Sequence, residues 1–337
     1  MDWRNGFSAR YYATVVDPDS WKDGERIELT GGSIRKVYSD LRESADLNCR
    51  NYFDTKEQII RVWLDTRQNS NSSHIALFTG LSSSPNANIN GRVESGALNC
   101  HSVLKPARDI LLPRGWYAPV ETDAVKLIRD LLKVTKAPIT IDDSMTNGRK
   151  LKQSIIAESG ETNMSMVEKL LVAINWRLRI NGLGEISVEP YNSVPVAIFD
   201  STWNDVVEPS ITVKHDWYEC PNCIRVVFGE EVATYKDSDS DTPLSISGRG
   251  REIWVEETNV VLNDHETLNE YAKRRLKEYQ RVSTTVTYNR RSAPDIIPTD
   301  VISLNYPLQK LVGDYMVTSQ TITLGFGAKV NEEVVAI

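Results

Sequence analysis

The chain has 337 residues, a formal net charge of −7, and 40% hydrophobic and 25% charged residues. This length exceeds what one hydrophobic core usually supports, so we expect two or three domains. The acidic balance argues against a nucleic-acid clamp, which needs a basic surface. The sequence shows no signal-peptide pattern and no run of about 18 apolar residues, so we expect assembly in a cytoplasm without membrane insertion.

Residues 1–112 alternate short strand patterns with polar turns. The segment Arg26–Thr30 alternates polar and apolar side chains, and Gly31-Gly32 is expected to end that strand. The segment Gln58–Asp65 is rich in β-branched and aromatic residues, which favour a pleated surface. Because no convincing helix interrupts these patterns, the region predicts an antiparallel sandwich or barrel.

Residues 113–195 have a different composition. Apolar residues recur with a helical period between Thr122 and Val134. A second helix is predicted to start at Ser165, with a glutamate three residues later as a capping box. Trp176–Ile180 and the alternating segment Glu185–Glu189 flank a glycine-containing turn, which predicts a hairpin. The region is therefore predicted to be a small α+β domain of two helices and a hairpin.

Residues 196–337 return to strand patterns. A polar loop, Lys236–Arg251, has few apolar anchors, so we expect it to be mobile unless a neighbouring molecule orders it. One long helix is predicted over 264–281, capped by Asn263. Tyr315–Leu324 is predicted to be the terminal strand, followed by a glycine turn. The fold class is thus α+β, mainly β, with two β regions flanking a smaller domain.

Charge is unevenly distributed in the last third. Asp216–Glu266 contains 12 acidic and 4 basic residues, whereas Thr267–Arg291 contains 7 basic and 2 acidic residues. Such blocks are either solvated faces or electrostatically complementary surfaces, one of which repels polyanions while the other docks an acidic partner. The sequence leaves both interpretations open.

Cys220-Pro221-Asn222-Cys223 is the sharpest motif, because a CxxC turn can supply half of a tetrahedral zinc site. The other two cysteines, Cys49 and Cys100, are distant and do not form a second pair. A strand pattern follows the motif, whereas a thioredoxin-like site needs a helix there. Two packed thiols without a metal or redox role are therefore expected.

Asp237, Asp239 and Asp241 have the spacing that opens a calcium-binding loop. Thr242 and Gly248 stand where that loop needs glycine and glutamate, so the match fails. The four histidines have no spacing typical of paired metal ligands. We therefore predict no catalytic, metal-binding or cofactor-binding residues, and no cofactor.

Two further patterns have competing interpretations. Glu256 and Glu257 could mimic the two carboxylates of a glycosidase, but neighbouring residues of a strand point to opposite faces. Trp217, Tyr218 and Trp254 could form a sugar-binding platform, although core and interface packing is the commoner use of such residues.

Four segments of the last third occur in a recognisable order: HDWYECPNCIRVV (215–227), RGREIWVEETN (249–259), YAKRRLKEYQ (271–280) and VGDYMVTSQTITLG (312–325). This succession resembles the C-terminal region of tail-hub proteins of Gram-positive bacteriophages and phage-like bacteriocins. The resemblance covers roughly residues 211–333, and over residues 1–112 it extends to predicted organisation more than to motifs. The motifs are structural rather than catalytic.

This resemblance implies a non-enzymatic virion protein at the tail tip. It implies a homotrimeric ring that closes the distal end of the tail tube, with residues 1–112 and 196–337 as β-barrel-like tube domains and residues 113–195 between them. The six similar domains of a trimer would match the hexameric tube and offer threefold symmetry to a spike. Implied partners are the tail tube or distal tail protein, a central spike or needle protein and the tape measure protein, with DNA passing through the lumen without sequence-specific binding.

The alternative function is a cell-wall hydrolase or peptidase, or a glycan-binding module of the tail tip. An enzyme predicts a pocket with convergent polar groups and perturbed pKa values. A hub predicts large interfaces and a closed oligomer.

Overall fold

The computed structural model describes residues 2–337 except 4, 40, 51, 53–55, 90, 92, 142–148, 201–206 and 282. The strands before residue 113 are β1 Ser8–Val16, β2 Asp23–Val37, β3 Glu43–Arg50, β4 Ile59–Gln68, β5 Asn71–Ser82, β6 Asn86–Ile89 and β7 Val93–Ser102. Those of the middle region are β8 Tyr117–Ala118, β9 Ile139–Ile141, β10 Ile155–Ile156, β11 Trp176–Ile180 and β12 Ile186–Pro190. The last region contains β13 Ala197–Asp200, β14 Val207–His215, β15 Cys223–Phe228, β16 Glu231–Lys236, β17 Trp254–Glu257, β18 Thr284–Arg290, β19 Val301–Tyr306, β20 Leu311–Thr323 and β21 Val330–Ala336.

Among the described residues, five α-helices accompany these strands: α1 Lys105–Asp109, α2 Ala124–Leu132, α3 Asn163–Ile174, α4 Ile246–Arg249 and α5 Leu268–Arg281. The prediction that the chain is mainly β with a few helices is confirmed. In the described part of the chain, no helix is long and apolar enough to cross a membrane.

The first β region forms a closed circuit of hydrogen-bonded strands. Strand β1 pairs antiparallel with both β2 and β4, and the circuit continues through β5, β7 and β3 back to β2. Alternate side chains point inward, as the pattern of β3 shows, and form one apolar core. Fully buried members of this core include Ala13, Ile60, Val62, Leu64 and Phe78.

Strand β2 does not end at Gly31-Gly32, so that prediction is wrong. The register between β2 and β3 shifts between Leu29 and Gly31, which marks a bulge, and the strand continues to Val37. Gly32 has φ +142°, and a Cβ there would lie 2.3 Å from the carbonyl oxygen of Asp46. Glycine therefore lets the strand bend where any other residue would clash.

The bend carries β2 onto the second β region. Residues Ser33–Val37 pair antiparallel with Ser319–Thr323 of β20, which joins both regions into a 13-stranded sheet. Beyond β20 the order is β21, β18 and β14. Strand β19 pairs with β20 on the side opposite β21, and β13 pairs with β19. Tyr315–Leu324 is therefore not terminal, because the glycine turn leads into β21, which pairs with both β20 and β18.

The middle region contains the predicted helices and hairpin. Strands β11 and β12 pair antiparallel, and the short strand β9 adds to β12 in parallel. Helix α3 begins earlier than predicted: Thr162 is the N-cap, and its side chain accepts a hydrogen bond from the Ser165 amide at 3.1 Å. Ser165 is thus the third helical residue, where it completes the capping box in place of a glutamate.

Helix α5 packs on a separate three-stranded sheet of order β16-β15-β17. Their shared core includes Ile224, Val226, Ala233, Tyr271, Ala272 and Leu276. The helix begins four residues later than predicted, because Thr267 and Glu270 exchange the hydrogen bonds of a capping box. Asn263 instead closes a turn by accepting a hydrogen bond from the His265 amide.

A fully buried ion pair lies within the second β region. Arg290 of β18 and Glu332 of β21 are separated by 2.6 Å, with side chains 1% and 0% exposed. Tyr288 and Gln320 also donate to the Glu332 carboxylate, each at 2.6 Å. Burial alone would raise the pKa of Glu332, but Arg290 and these hydrogen bonds hold the pKa below its usual value.

We expect Glu332→Gln to lower the free energy of unfolding at neutral pH by about 3–5 kcal/mol, because it leaves Arg290 buried without its counter-charge. The difference from wild type should shrink as pH falls below the ordinary glutamate range, since a lowered folded-state pKa stabilises only the ionised form. Urea denaturation at several pH values measures both effects. Glu256→Gln, which removes an exposed pair with Arg225, is the control and should change stability little.

Candidate assembly surface

The CxxC motif is a buried turn at the start of β15. The Asn222 side chain donates to the Arg251 carbonyl at 3.0 Å and accepts from the Ile253 amide at 2.7 Å. Cys220 and Cys223 are free and buried, and burial raises the pKa of both thiols. The motif thus connects the loop before β17 to the start of β15. Within the described part of the chain, no group of three His, Cys, Asp or Glu residues could hold a metal ion.

The acidic loop that follows β16 is organised by its own hydrogen bonds. The Asp239 amide donates to the Asp237 carboxylate at 3.2 Å, and the Asp241 amide donates to the Asp239 carboxylate at 3.0 Å. Ser245 caps α4, and Gln280 of α5 donates to Asp237 at 3.0 Å. The Lys236–Arg251 loop therefore has its own network of hydrogen bonds within the chain, and its expected mobility in an isolated subunit stays a prediction.

The three aromatic residues of the candidate sugar platform, Trp217, Tyr218 and Trp254, have different surroundings. The Arg225 guanidinium and the Lys236 ammonium lie 5.6 and 5.1 Å from the centroid of the Trp254 ring, where a sugar would have to stack. Trp217 packs at a tilt against His215, with ring centroids 5.1 Å apart, and Tyr218 is 81% exposed. The contacts of Trp254 are those of a cation–π cluster rather than of a sugar platform.

The adjacent glutamates of β17 point to opposite faces, as the strand geometry predicts. Glu256 contacts Arg225 at 3.0 Å on the exposed face. Glu257 faces α5, where it contacts Arg275 at 2.7 Å and accepts a hydrogen bond from Tyr279 at 2.8 Å. Burial would raise the pKa of Glu257, but these α5 contacts hold the pKa below its usual value. Glu257 therefore anchors α5, and the two carboxylates do not face each other.

Part of the acidic block neutralises part of the basic block within the chain. Arg274 contacts Glu266 at 2.8 Å and Glu278 at 2.9 Å, and Arg275 contacts Glu257. These pairs tie α5 to the segment that precedes it. These pairs lie within the chain, so the two interpretations of the charge blocks, a solvated face or a docking surface, both stay predictions for the residues that form no such pair.

A cleft of about 410 Å³ lies where the regions of the chain meet. It is enclosed by α3, α5, β11, β20 and the turn between β2 and β3. Arg42 of that turn reaches Glu168 of α3 at 2.7 Å, and Arg177 of β11 reaches Glu189 at 2.7 Å. The charged groups of the cleft are therefore largely engaged in holding the regions together.

A buried polar junction between the middle region and the large sheet is not evident from the sequence. Arg177 is 6% exposed and donates to the Thr299 carbonyl at 2.5 Å, and Arg179 contacts Asp300 at 2.8 Å. Burial raises the pKa of Asp300. In the sequence, arginines alternate with apolar residues along Trp176–Ile180. In the structure both kinds of side chain on this strand are mostly buried, so the arginines there were the signal of a buried polar contact.

The sequence matches no family model, and no curated protein matches it. Three solved structures share the fold along the whole chain. The prophage MuSo2 43 kDa tail protein from Shewanella oneidensis is 12% identical, with 98% of each chain covered and a TM-score of 0.69. A tail protein from Neisseria meningitidis is 13% identical, covers 98% of this chain and 97% of its own, and has a TM-score of 0.71. Prophage tail protein gp18 from Listeria monocytogenes is 11% identical, covers 97% and 94%, and has a TM-score of 0.59.

The chain therefore has a fold found in phage tail proteins, as the motif resemblance implied. The narrower link to Gram-positive phages remains a prediction, because identities of 11–13% show the fold alone.

We expect Asn222→Ala to lower the free energy of unfolding by about 1–3 kcal/mol, because it leaves the buried Ile253 amide and Arg251 carbonyl without partners. Hydrogen exchange should accelerate across residues 236–253, where Asn222 links the segments. Asn269→Ala, on the exposed face of α5, serves as the control. Unchanged stability and exchange in Asn222→Ala would contradict this role.

All four thiols should react slowly with a thiol reagent in the native protein at pH 8, because each cysteine is buried and burial raises each thiol's pKa. All four should react at once in denaturant. Fast native reaction of Cys220 or Cys223, or stoichiometric zinc lost on Cys220→Ser, would argue for a redox or metal role instead.

Proposed function

We propose that this chain is a structural tail-hub protein, which forms a homotrimeric ring at the distal end of a phage or phage-like tail tube. The observation that carries the proposal is a fold shared from end to end with phage tail proteins, covering at least 94% of each compared chain. Those proteins are named as tail components, which supports a structural rather than an enzymatic role and a location at the virion tail tip.

In this proposal, residues 1–112 and 196–337 supply the two tube domains and residues 113–195 the domain between them. The closed circuit of the first region supports a barrel-like unit. The second region has the edge strands β13 and β14, each of which pairs on one side only among the described strands. Open edges favour association, and ring closure would cover them.

The ring would adapt a hexameric tube to a threefold spike, because three chains present six tube domains. Its partners would be the tail tube or distal tail protein, the spike or needle protein and the tape measure protein. DNA would pass through a lumen lined by a net acidic surface, which repels phosphates and lets the polymer slide. Membrane insertion and sequence-specific nucleic-acid binding are not part of this role.

A cell-wall hydrolase or a glycan-binding module is the alternative. The junction cleft has the size of a small-molecule site, but four of the five arginines that line it are paired with glutamates, namely Arg42, Arg177, Arg274 and Arg275. The two β17 glutamates point to opposite faces of their strand. Arg225 and Lys236 lie close to the Trp254 ring, where a glycan would have to stack. The geometry thus favours a structural function.

Native mass spectrometry and sedimentation should give a species of about 114 kDa, three times the 38.0 kDa of one chain. Cryo-electron microscopy of the assembled particle should place the ring at the tail tip with a net acidic lumen. A monomer at all concentrations, or a lumen lined mainly by lysine and arginine, would refute the proposal.

A further inference from the structure

Helix α5 carries an exposed basic stripe formed by Lys273, Lys277 and Arg281. These residues stand four apart, so they follow one line over about 12 Å of helix. All three side chains are exposed, whereas Ala272 and Leu276 of the same helix pack on the three-stranded sheet. The Lys273 ammonium lies 5.9 Å from the Tyr235 ring centroid, and Arg281 also borders the junction cleft, so Lys277 is the stripe residue with the fewest contacts inside the chain.

The stripe differs from the neighbouring arginines of the same helix. Arg274 and Arg275 are held by glutamates, whereas none of the three stripe residues forms an ion pair with any described residue. Like charges at this spacing oppose helix formation by about 0.2–0.5 kcal/mol per pair. An acidic partner outside the chain would remove this repulsion.

The same unit also presents carboxylates that no described cation neutralises. They are all exposed: Glu219, Glu230, Glu231, Asp239 and Asp241. Asp239 and Asp241 are fixed in place by the hydrogen bonds of their loop, so little conformational freedom would be lost when they bind. Glu230 and Glu231 instead lie next to each other at a hairpin turn.

We propose that the α5 stripe docks onto the Asp239–Asp241 loop of a second copy of this chain. The inference rests on the proposed ring, in which each copy would offer its stripe to one neighbour and its acidic loop to the other. Two different surfaces in a head-to-tail contact generate a closed ring when the rotation closes. A second copy fits better than nucleic acid, because the net charge of −7 and the unpaired carboxylates of the unit repel phosphates.

Charge reversal tests this contact. Sedimentation and native mass spectrometry should show that Lys273→Glu with Lys277→Glu weakens self-association at least tenfold, and that Asp239→Lys with Asp241→Lys does the same. The protein with all four changes should recover association, because the charges are complementary again. Lys22→Glu with Lys126→Glu, at exposed sites elsewhere, is the matched control for net charge.

The outcomes separate this inference from the proposed function. An oligomer that both double variants leave intact overturns the docking contact but not the ring. A wild-type chain that stays monomeric overturns both. Two further results overturn the acidic-loop contact. The first is that the fourfold variant does not recover association although its circular dichroism melt stays native. The second is that Lys273→Glu with Lys277→Glu loses binding to a DNA duplex without any change in self-association.

Discussion

The passage of strand β2 from one β region to the other holds the molecule together. Its first half closes the circuit of six strands, and its second half pairs with β20. Both pairings need a bend at Gly32, where a Cβ would meet the Asp46 carbonyl. Side chains near the end of the chain, Ile322 and Val330, consequently pack in the core of the first region. Folding of the first β region thus depends on strands about 290 residues away.

Arginine contacts, in addition to apolar surfaces, join the regions of the chain. Arg42 contacts Glu168 of α3, Arg177 and Arg179 contact Thr299 and Asp300, and Arg274 donates to the Val172 carbonyl of α3. Burying these charges costs desolvation energy, which is offset only when geometry and hydrogen bonds are well matched. Such contacts favour one relative orientation of the regions, since a shift would leave a buried charge without its partner.

Different faces of helix α5 have different surroundings. Tyr271, Ala272 and Leu276 fill the core of its own unit. Arg274, Glu278 and Arg281 line the junction cleft, and Lys273 and Lys277 are exposed. One helix thus links the small sheet, the middle region and the surface proposed to contact the next copy.

The sequence by itself determined features that depend on neighbours along the chain. Hydrophobic periodicity located α2, α3 and the β11–β12 hairpin, and the missing ligand pair identified Cys220 and Cys223 as packed thiols. Tertiary structure decided the rest. Period-two alternation indicates a strand but not its partner, so the path of β2 beyond Gly32 was missed. Strand β21 was not predicted because Glu332, a charged residue, occupies one of its inward positions and interrupts the apolar alternation. A carboxylate is tolerated there because Arg290 pairs with it. The fold sets which charged residues distant in sequence become partners, so only the folded chain shows which cations on α5 form ion pairs.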